Sequence, residues 1–246
     1  MQAAQASAPT TSNWASIGLL GVIWGGTFMV VAVALQGYGP LTVACARTSL
    51  GALALFILQA AMRRSWPEFT PRLIKYLAFI GVLNTALPFA LLSWGQQYVP
   101  SAFAGISMAA LPLFVLPLAH IFSDEPLSTR RLIGVCVGFL GALVLIGPGV
   151  LRIGLGMEPL GQLACLTAAG SYAIASIMTR RCPPIDPIVL GALTLGVGSA
   201  VLIPAMLLFE GVPGPAAPLH MAAIVFLGLF PTALATLLRV IVIRSA

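Results

Sequence analysis

The sequence predicts an all-α polytopic membrane protein made of two inverted five-helix repeats, the second incomplete, with about eight helices present in all. Three observations point there. Of 246 residues, 59% are hydrophobic and 7% charged, and the mean hydropathy is +1.04. So few ionisable groups do not cover a water-soluble globule of this size. Apolar runs recur at the length that crosses a hydrocarbon core of about 30 Å, which takes roughly 20 helical residues. Lastly, FIGVLNTALPFALLSWGQQYV at 79–99 returns as FLGLFPTALATLLRVIVIRSA at 226–246, an offset of 147 positions (226 − 79).

The repeat aligns without a gap. Phe79, Gly81, Thr85, Ala86, Leu87 and Leu91 recur as Phe226, Gly228, Thr232, Ala233, Leu234 and Leu238, and Pro40, Gly51, Leu55 and Pro71 as Pro187, Gly198, Leu202 and Pro218. Residues 40–99 thus have a counterpart in 187–246. The basic connection RRSWPEFTPRLIK at 63–75 corresponds to EGVPGPAAPLHMA at 210–222, which has no Lys or Arg. Equivalent loops of opposite charge character belong on opposite sides of the membrane, as they must if an odd number of spans turns the second repeat upside down.

Taken in order, residues 1–13, rich in Gln, Ala, Ser and Thr, read as a disordered cytoplasmic tail. A first repeat is expected over 14–148 with spans at about 14–35, 40–62, 74–94, 101–122 and 130–148. The second covers 158–246 with spans at about 159–179, 187–209 and 219–238. Gly21 and Gly25 in the first span, and Gly134, Gly138 and Gly141 in the fifth, have the spacing that lets another helix approach closely. Pro40 suits the first turn of the second span. Arg47, seven residues on, calls for a partner or a route to the headgroups; a snorkelling or packing role is weighed against a ligand-facing one. In span three, Asn84 and Pro88 share a face at i, i+4, and Pro88 frees a backbone carbonyl. Span four carries Ser101, Gly105, Met108 and Pro112 on one stripe, with Pro117 as a second kink. Ser128 is the expected N-cap of span five.

The net charge of +6 reports topology and no nucleic acid partner. With the N-terminus cytoplasmic, Arg63, Arg64, Arg72, Lys75, Arg130, Arg131, Arg180, Arg181, Arg239 and Arg244 fall inside, and Arg152 alone falls outside. Cys45, Cys136, Cys165 and Cys182 form no CxxC pair, so neither disulfide nor metal site is expected. His120 and His220, at span ends, read as structural. The run after residue 13 is too long for a signal peptide and lacks a basic flank.

Several stretches together resemble the EamA-type permeases of the drug/metabolite transporter superfamily. These are WGGTF at 24–28, PLTVACARTSLGAL at 40–53, GVLNTALPFALLSWGQQYVPSAFAGISMAALPLF at 81–114, DEPLSTRRLIGVCVGFLGALVLI at 124–146 and GLFPTALATLL at 228–238. The resemblance implies ten helices as two inverted five-helix repeats, a central path, and export or exchange of small metabolites such as amino acids. Completing the second repeat to match the first would add about 48 residues. Substrate would then bind near the midplane between repeats, lined by Trp24, Thr27, Asn84, Trp94, Met108, Ser171, Tyr172 and Ser176, with Arg47, Pro88 and Pro112 as structural or hinge positions. The aromatics have an alternative as interface anchors and Met108 as core filler. All six acids lie in loops or at helix ends, so no buried carboxylate is placed to couple transport to protons. An intramembrane enzyme would need converging catalytic groups that the spans do not supply, and no cofactor is expected. The expected surroundings are the lipid bilayer of the inner (plasma) membrane, multi-pass, with a small-molecule metabolite as cargo. A second reading is a non-transporting truncated protein, or a subunit that recruits partner helices and forms a homo-oligomer through span eight.

Overall fold

The computed structural model describes residues 11–123, 128–146 and 156–238. Among them the regular elements are helices. In order they are α1 Thr11–Leu35, α2 Pro40–Ala61, α3 Pro71–Gly81, a π-helical turn Val82–Ala86 and α4 Leu87–Gly95. Next come α5 Ser101–Ala109, α6 Leu111–Ser123, α7 Thr129–Ile146, α8 Glu158–Arg181, α9 Pro187–Phe209, α10 Pro218–Leu227 and a second π-helical turn, Gly228–Leu234. Pro opens α2, α3, α9 and α10, where the first-turn amide it lacks would have no intrahelical partner. Seven segments of the described residues are long and apolar enough to cross a membrane: 18–35, 40–61, 71–95, 101–122, 158–181, 187–209 and 218–238. The fifth expected span forms α7, and the carbonyl of Ser128 accepts its first helical hydrogen bond, from Leu132 N–H at 3.0 Å.

Some expectations need correction. Helix α1 begins at Thr11, so residues 11–13 are helical and not tail; residues 1–10 lie outside the described set. Polar first-turn residues cost little, because the opening amides of a helix need no intrahelical acceptor. Span four is two helices parted at Ala110, whose N–H still reaches Ile106 while Leu113 N–H turns back to Ala110 O at 2.9 Å. Pro112 explains the break, since it brings no amide to the carbonyl of Met108. Pro117 lies inside α6 without interrupting it. A Cβ added at Gly21, Gly25, Gly134, Gly138 or Gly141 would have no described neighbour within 4 Å, so these glycines are not close helix contacts within the described chain.

The core is a crossing of repeat counterparts. Helix α2 packs most extensively on α9, and each also meets the π-helical turn of the other repeat. The contacts are reciprocal at the 147-residue offset. At Gly81 an added Cβ would come 2.6 Å from Val197 Cβ and 2.9 Å from Thr194 O; at Gly228 it would come 2.6 Å from Leu50 Cβ and 3.3 Å from Arg47 O. Gly51 sits likewise against Thr232, and Gly198 against Thr85. At these four positions the absence of a Cβ therefore lets the facing element approach to a distance that any side chain would block. A pseudo-two-fold axis between the repeats produces such paired contacts.

The helix ends are tied across this seam. Glu210, at the C-cap of α9, accepts from Leu41 N–H (2.7 Å), Thr42 N–H (2.8 Å) and Thr42 Oγ1 (2.7 Å). It supplies the side-chain cap that the α2 N-cap, Gly39, lacks, and a Cβ at Gly39 would fall on its carboxylate. At the other end of the pair, Asp186 Oδ1 caps α9 through Ile188 N–H at 2.8 Å, while Arg64 Nη1 stands 3.5 Å from Asp186 Oδ2. Leu73, Leu77 and Ile80 pack on Cys182 and Leu190 there. Arg63, Arg64, Arg72, Lys75, Arg180 and Arg181 accordingly share one end of the bundle. His220 is structural as expected: its Nδ1 lies 2.8 Å from Val33 O, against Gly37.

Candidate functional site

Two groups stand out among the polar side chains inside the spans. The first satisfies itself. Thr48 donates to Ala44 O (2.7 Å), Thr194 to Leu190 O (2.8 Å) and Ser199 to Leu195 O (2.9 Å), each a turn back on its own helix. Thr27 does the same to Ile23 O, at 2.8 Å. The second group links one span to another, and it gathers where α2, α4, α8 and both π-helical turns meet.

The first π-helical turn is anchored by Ser171. Its Oγ donates to Leu83 O at 2.7 Å, joining residues 88 apart in the chain. The register explains the need: Leu87 N–H reaches back five residues to Val82 O, and the next amide in that register would be Pro88, which has none. Leu83 O is left for an outside donor. Asn84, buried, follows in the same turn, and Tyr172, next to Ser171, packs on Ala86 and Phe89.

Arg47 is only 4% exposed, so it does not snorkel to a surface. Its Nε donates to Thr232 Oγ1 at 3.1 Å, in the π-helical turn of the second repeat, and its guanidinium carbon lies 4.0 Å from the centre of the Phe89 ring. The four polar neighbours Arg47, Asn84, Ser171 and Tyr172 thus share one region between the repeats. Met108 reaches its edge, packed with Phe28 and Tyr172 against Leu92, Val99, Ala104, Cys165 and Ala168. Ser176 donates to Tyr172 O at 2.8 Å.

Two predicted lining residues are elsewhere. Trp24 is 38% exposed on α1, and Trp94 stands edge-on to Tyr98 near the end of α4, with ring centres 5.1 Å apart. Both positions suit the interface-anchor alternative better than the path. Among the described residues, Ser93 Oγ and Gln96 Oε1 are buried without a hydrogen-bond partner, and neither was singled out from the sequence. Thr232 and Phe89 were missed as well, although Thr232 is one of the residues that recur across the repeat. A separate cavity of about 250 Å³, lined by Tyr38, Thr42, Ala46, Pro213, Gly214, Met221, Ile224 and Val225, lies near the Glu210 end and includes none of the predicted residues.

A many-span helical bundle with polar groups collected between two internally repeated halves defines a multi-pass membrane transporter. The chain belongs to the EamA-like transporter family, whose family pattern matches residues 13–147. It is 26% identical over 228 residues to the uncharacterized inner membrane transporter YedA of Escherichia coli K12, covering 91% of this chain and 72% of that one. It is also 29% identical over 136 residues to a probable terminal-alkyne amino-acid exporter of Streptantibioticus cattleyicolor, covering 55% and 45% of the two chains. The fold is also that of a protein of known crystal structure, with a TM-score of 0.73 at 20% identity, covering 95% of this chain and 79% of the other.

Proposed function

We propose that this chain carries small metabolites, amino acids among them, across the inner (plasma) membrane by alternating access, in the direction of export or by exchange. The observation that carries the mechanism is the reciprocal glycine seam. Two repeats, 14–148 and 158–246, that meet through matched close contacts at glycines can rock about their shared axis and open the region between them to either side. Binding there would engage Asn84, Ser171, Tyr172 and Met108, with Pro88 and the break before Pro112 as the places where spans flex. The amino-acid assignment draws on the exporter relative and the membrane assignment on YedA. Clustering of basic residues at the Arg64 end supports a cytoplasmic N-terminus and an inverted second repeat.

Coupling follows from where the acids stand. Glu68, Glu158, Asp186 and Glu210, the acids among the described residues, lie between helices or at their ends. A proton antiporter needs a titrating group within the span, and these cannot serve. Flux of labelled amino acids through proteoliposomes of the purified chain is therefore expected to be the same with and without an imposed pH gradient. Strict dependence on such a gradient would contradict the exchange mechanism.

A further inference from the structure

We propose that Glu210 is the outer gate of the carrier, closing the end of the bundle opposite the basic residues, and that the Arg64–Asp186 pair is its weaker counterpart at the basic end. The inference rests on the transport reading and adds to it the contacts that decide which side opens.

The repeat supplies an internal comparison of how two equivalent helices are capped. In α9, Asp186 at the N-cap accepts from Ile188 N–H (2.8 Å) and Val189 N–H (3.4 Å), so the cap is local. At the offset of 147 the equivalent amides of α2 are those of Leu41 and Thr42, and Gly39 stands where α9 has Asp186. Their acceptor is Glu210, at the far end of α9 in the other repeat, which takes a third bond from Thr42 Oγ1. The fold can cap such a helix from its own N-cap, yet the side-chain cap of α2 lasts only while α9 stays against it. Rocking the repeats apart at this end breaks all three bonds, which therefore hold it shut.

The tie at the basic end is of another kind. It is one ion pair at 3.5 Å between side chains 44% and 25% exposed, and Asp186 keeps its cap on α9 without it. Exposed pairs contribute little, whereas three short bonds to a carboxylate contribute more, so the basic end opens more readily than the outer one. Each end also carries a thiol packed beneath its tie. Cys45, one turn inward of Leu41, lies in a buried cluster on which Leu41 and Met206 pack. Cys182 is buried with Leu73, Leu77, Ile80 and Leu190, one turn inward of Asp186.

Gly39→Asp combined with Glu210→Ala separates the gate from the cap. The three atoms nearest a Cβ at Gly39 all belong to the Glu210 carboxylate, so removing it makes room for a local aspartate cap like that of α9. Purified full chain in lipid nanodiscs, which leave both faces in water, is treated with a charged methanethiosulfonate, and peptide mass spectrometry reads Cys45 and Cys182 separately. The double variant is expected to label at Cys45 at least about tenfold faster than wild type, with Cys182 no faster. Glu210→Gln, which keeps the shape and loses the charge, is expected to give the same pattern at smaller amplitude. Arg64→Gln is expected to do the reverse, raising the Cys182 rate by about two- to fivefold and leaving Cys45 unchanged. A Cys45 rate that stays at the wild-type value in both Glu210 variants overturns the gate. So does a rise at both cysteines, which marks general loosening. Counterflow of labelled amino acids in the wild type tests the transport reading separately. Its absence removes the carrier and the gate's function with it, whereas counterflow with an unchanged Cys45 rate removes the gate and keeps the carrier.

Discussion

Gly198→Leu is expected to prevent the protein from accumulating as a folded, monodisperse species, and Gly198→Ala to destabilise it by about 1–3 kcal/mol. A Cβ at 198 would fall on Thr85 Oγ1 and come 3.0 Å from Thr85 Cβ and 3.2 Å from Thr48 Cγ2. Thr85 has little freedom to yield: it is fully buried, branched at Cβ, and its hydroxyl donates to Gly81 O. Relief would require α9 to move off the first π-helical turn and so open the repeat interface. Gly170→Ala is the control. That glycine lies inside α8 with nothing within 4 Å of the added methyl, so there the gain in helix propensity, about 0.5–1 kcal/mol, should prevail. Thermal midpoints in detergent that move in opposite directions for the two alanines are the expected result; equal shifts would mean that the seam does not determine stability.

Ser171→Ala is expected to cost about 1–2 kcal/mol in the wild-type background and much less once Pro88 is alanine. In the native chain Ser171 Oγ is the donor that Leu83 O receives in place of the amide missing at Pro88. Removing the hydroxyl leaves that carbonyl unmet in an apolar interior, while Pro88→Ala restores an N–H in the π register. Thermal unfolding of the wild type, the two single variants and the double variant forms a cycle whose coupling should lie within about 0.5–3 kcal/mol. A Ser171→Ala cost that is the same in both backgrounds would show that the serine serves something other than the register.

What the sequence made legible follows the same division between requirements that act along the chain and those that act across it. A span must be long and apolar wherever it packs, so the bounds of α2, α8 and α9 fall close to the expected 40–62, 159–179 and 187–209. The repeat offset also identified Gly51, Gly81, Gly198 and Gly228 as two matched pairs before their contacts were visible. The π-helical turns were hidden, because the first depends on a missing amide at Pro88 and a hydroxyl 88 residues away. Likewise, the Glu210 cap on α2 joins residues 168 and 169 apart, and no local pattern announces it. Glycine spacing misled at Gly134, Gly138 and Gly141: it shows that a helix can approach, whereas the described chain brings none. In the candidate site, Asn84, Ser171 and Tyr172 were recoverable as polar groups in apolar runs. Trp24 and Trp94 were not separable from them, because an aromatic ring suits both a binding path and a membrane interface.

The central claim, that the seam between the repeats works as an alternating-access carrier, is tested most directly by counterflow. Proteoliposomes of the purified chain would be preloaded with an unlabelled amino-acid mixture and given a trace of the same mixture, labelled, outside. A carrier that exposes one site alternately to each side returns loaded with tracer, so labelled amino acids should accumulate transiently above the external level, and only in preloaded vesicles. Tracer entry that ignores the internal load, or that is no faster than into protein-free vesicles, would contradict the account.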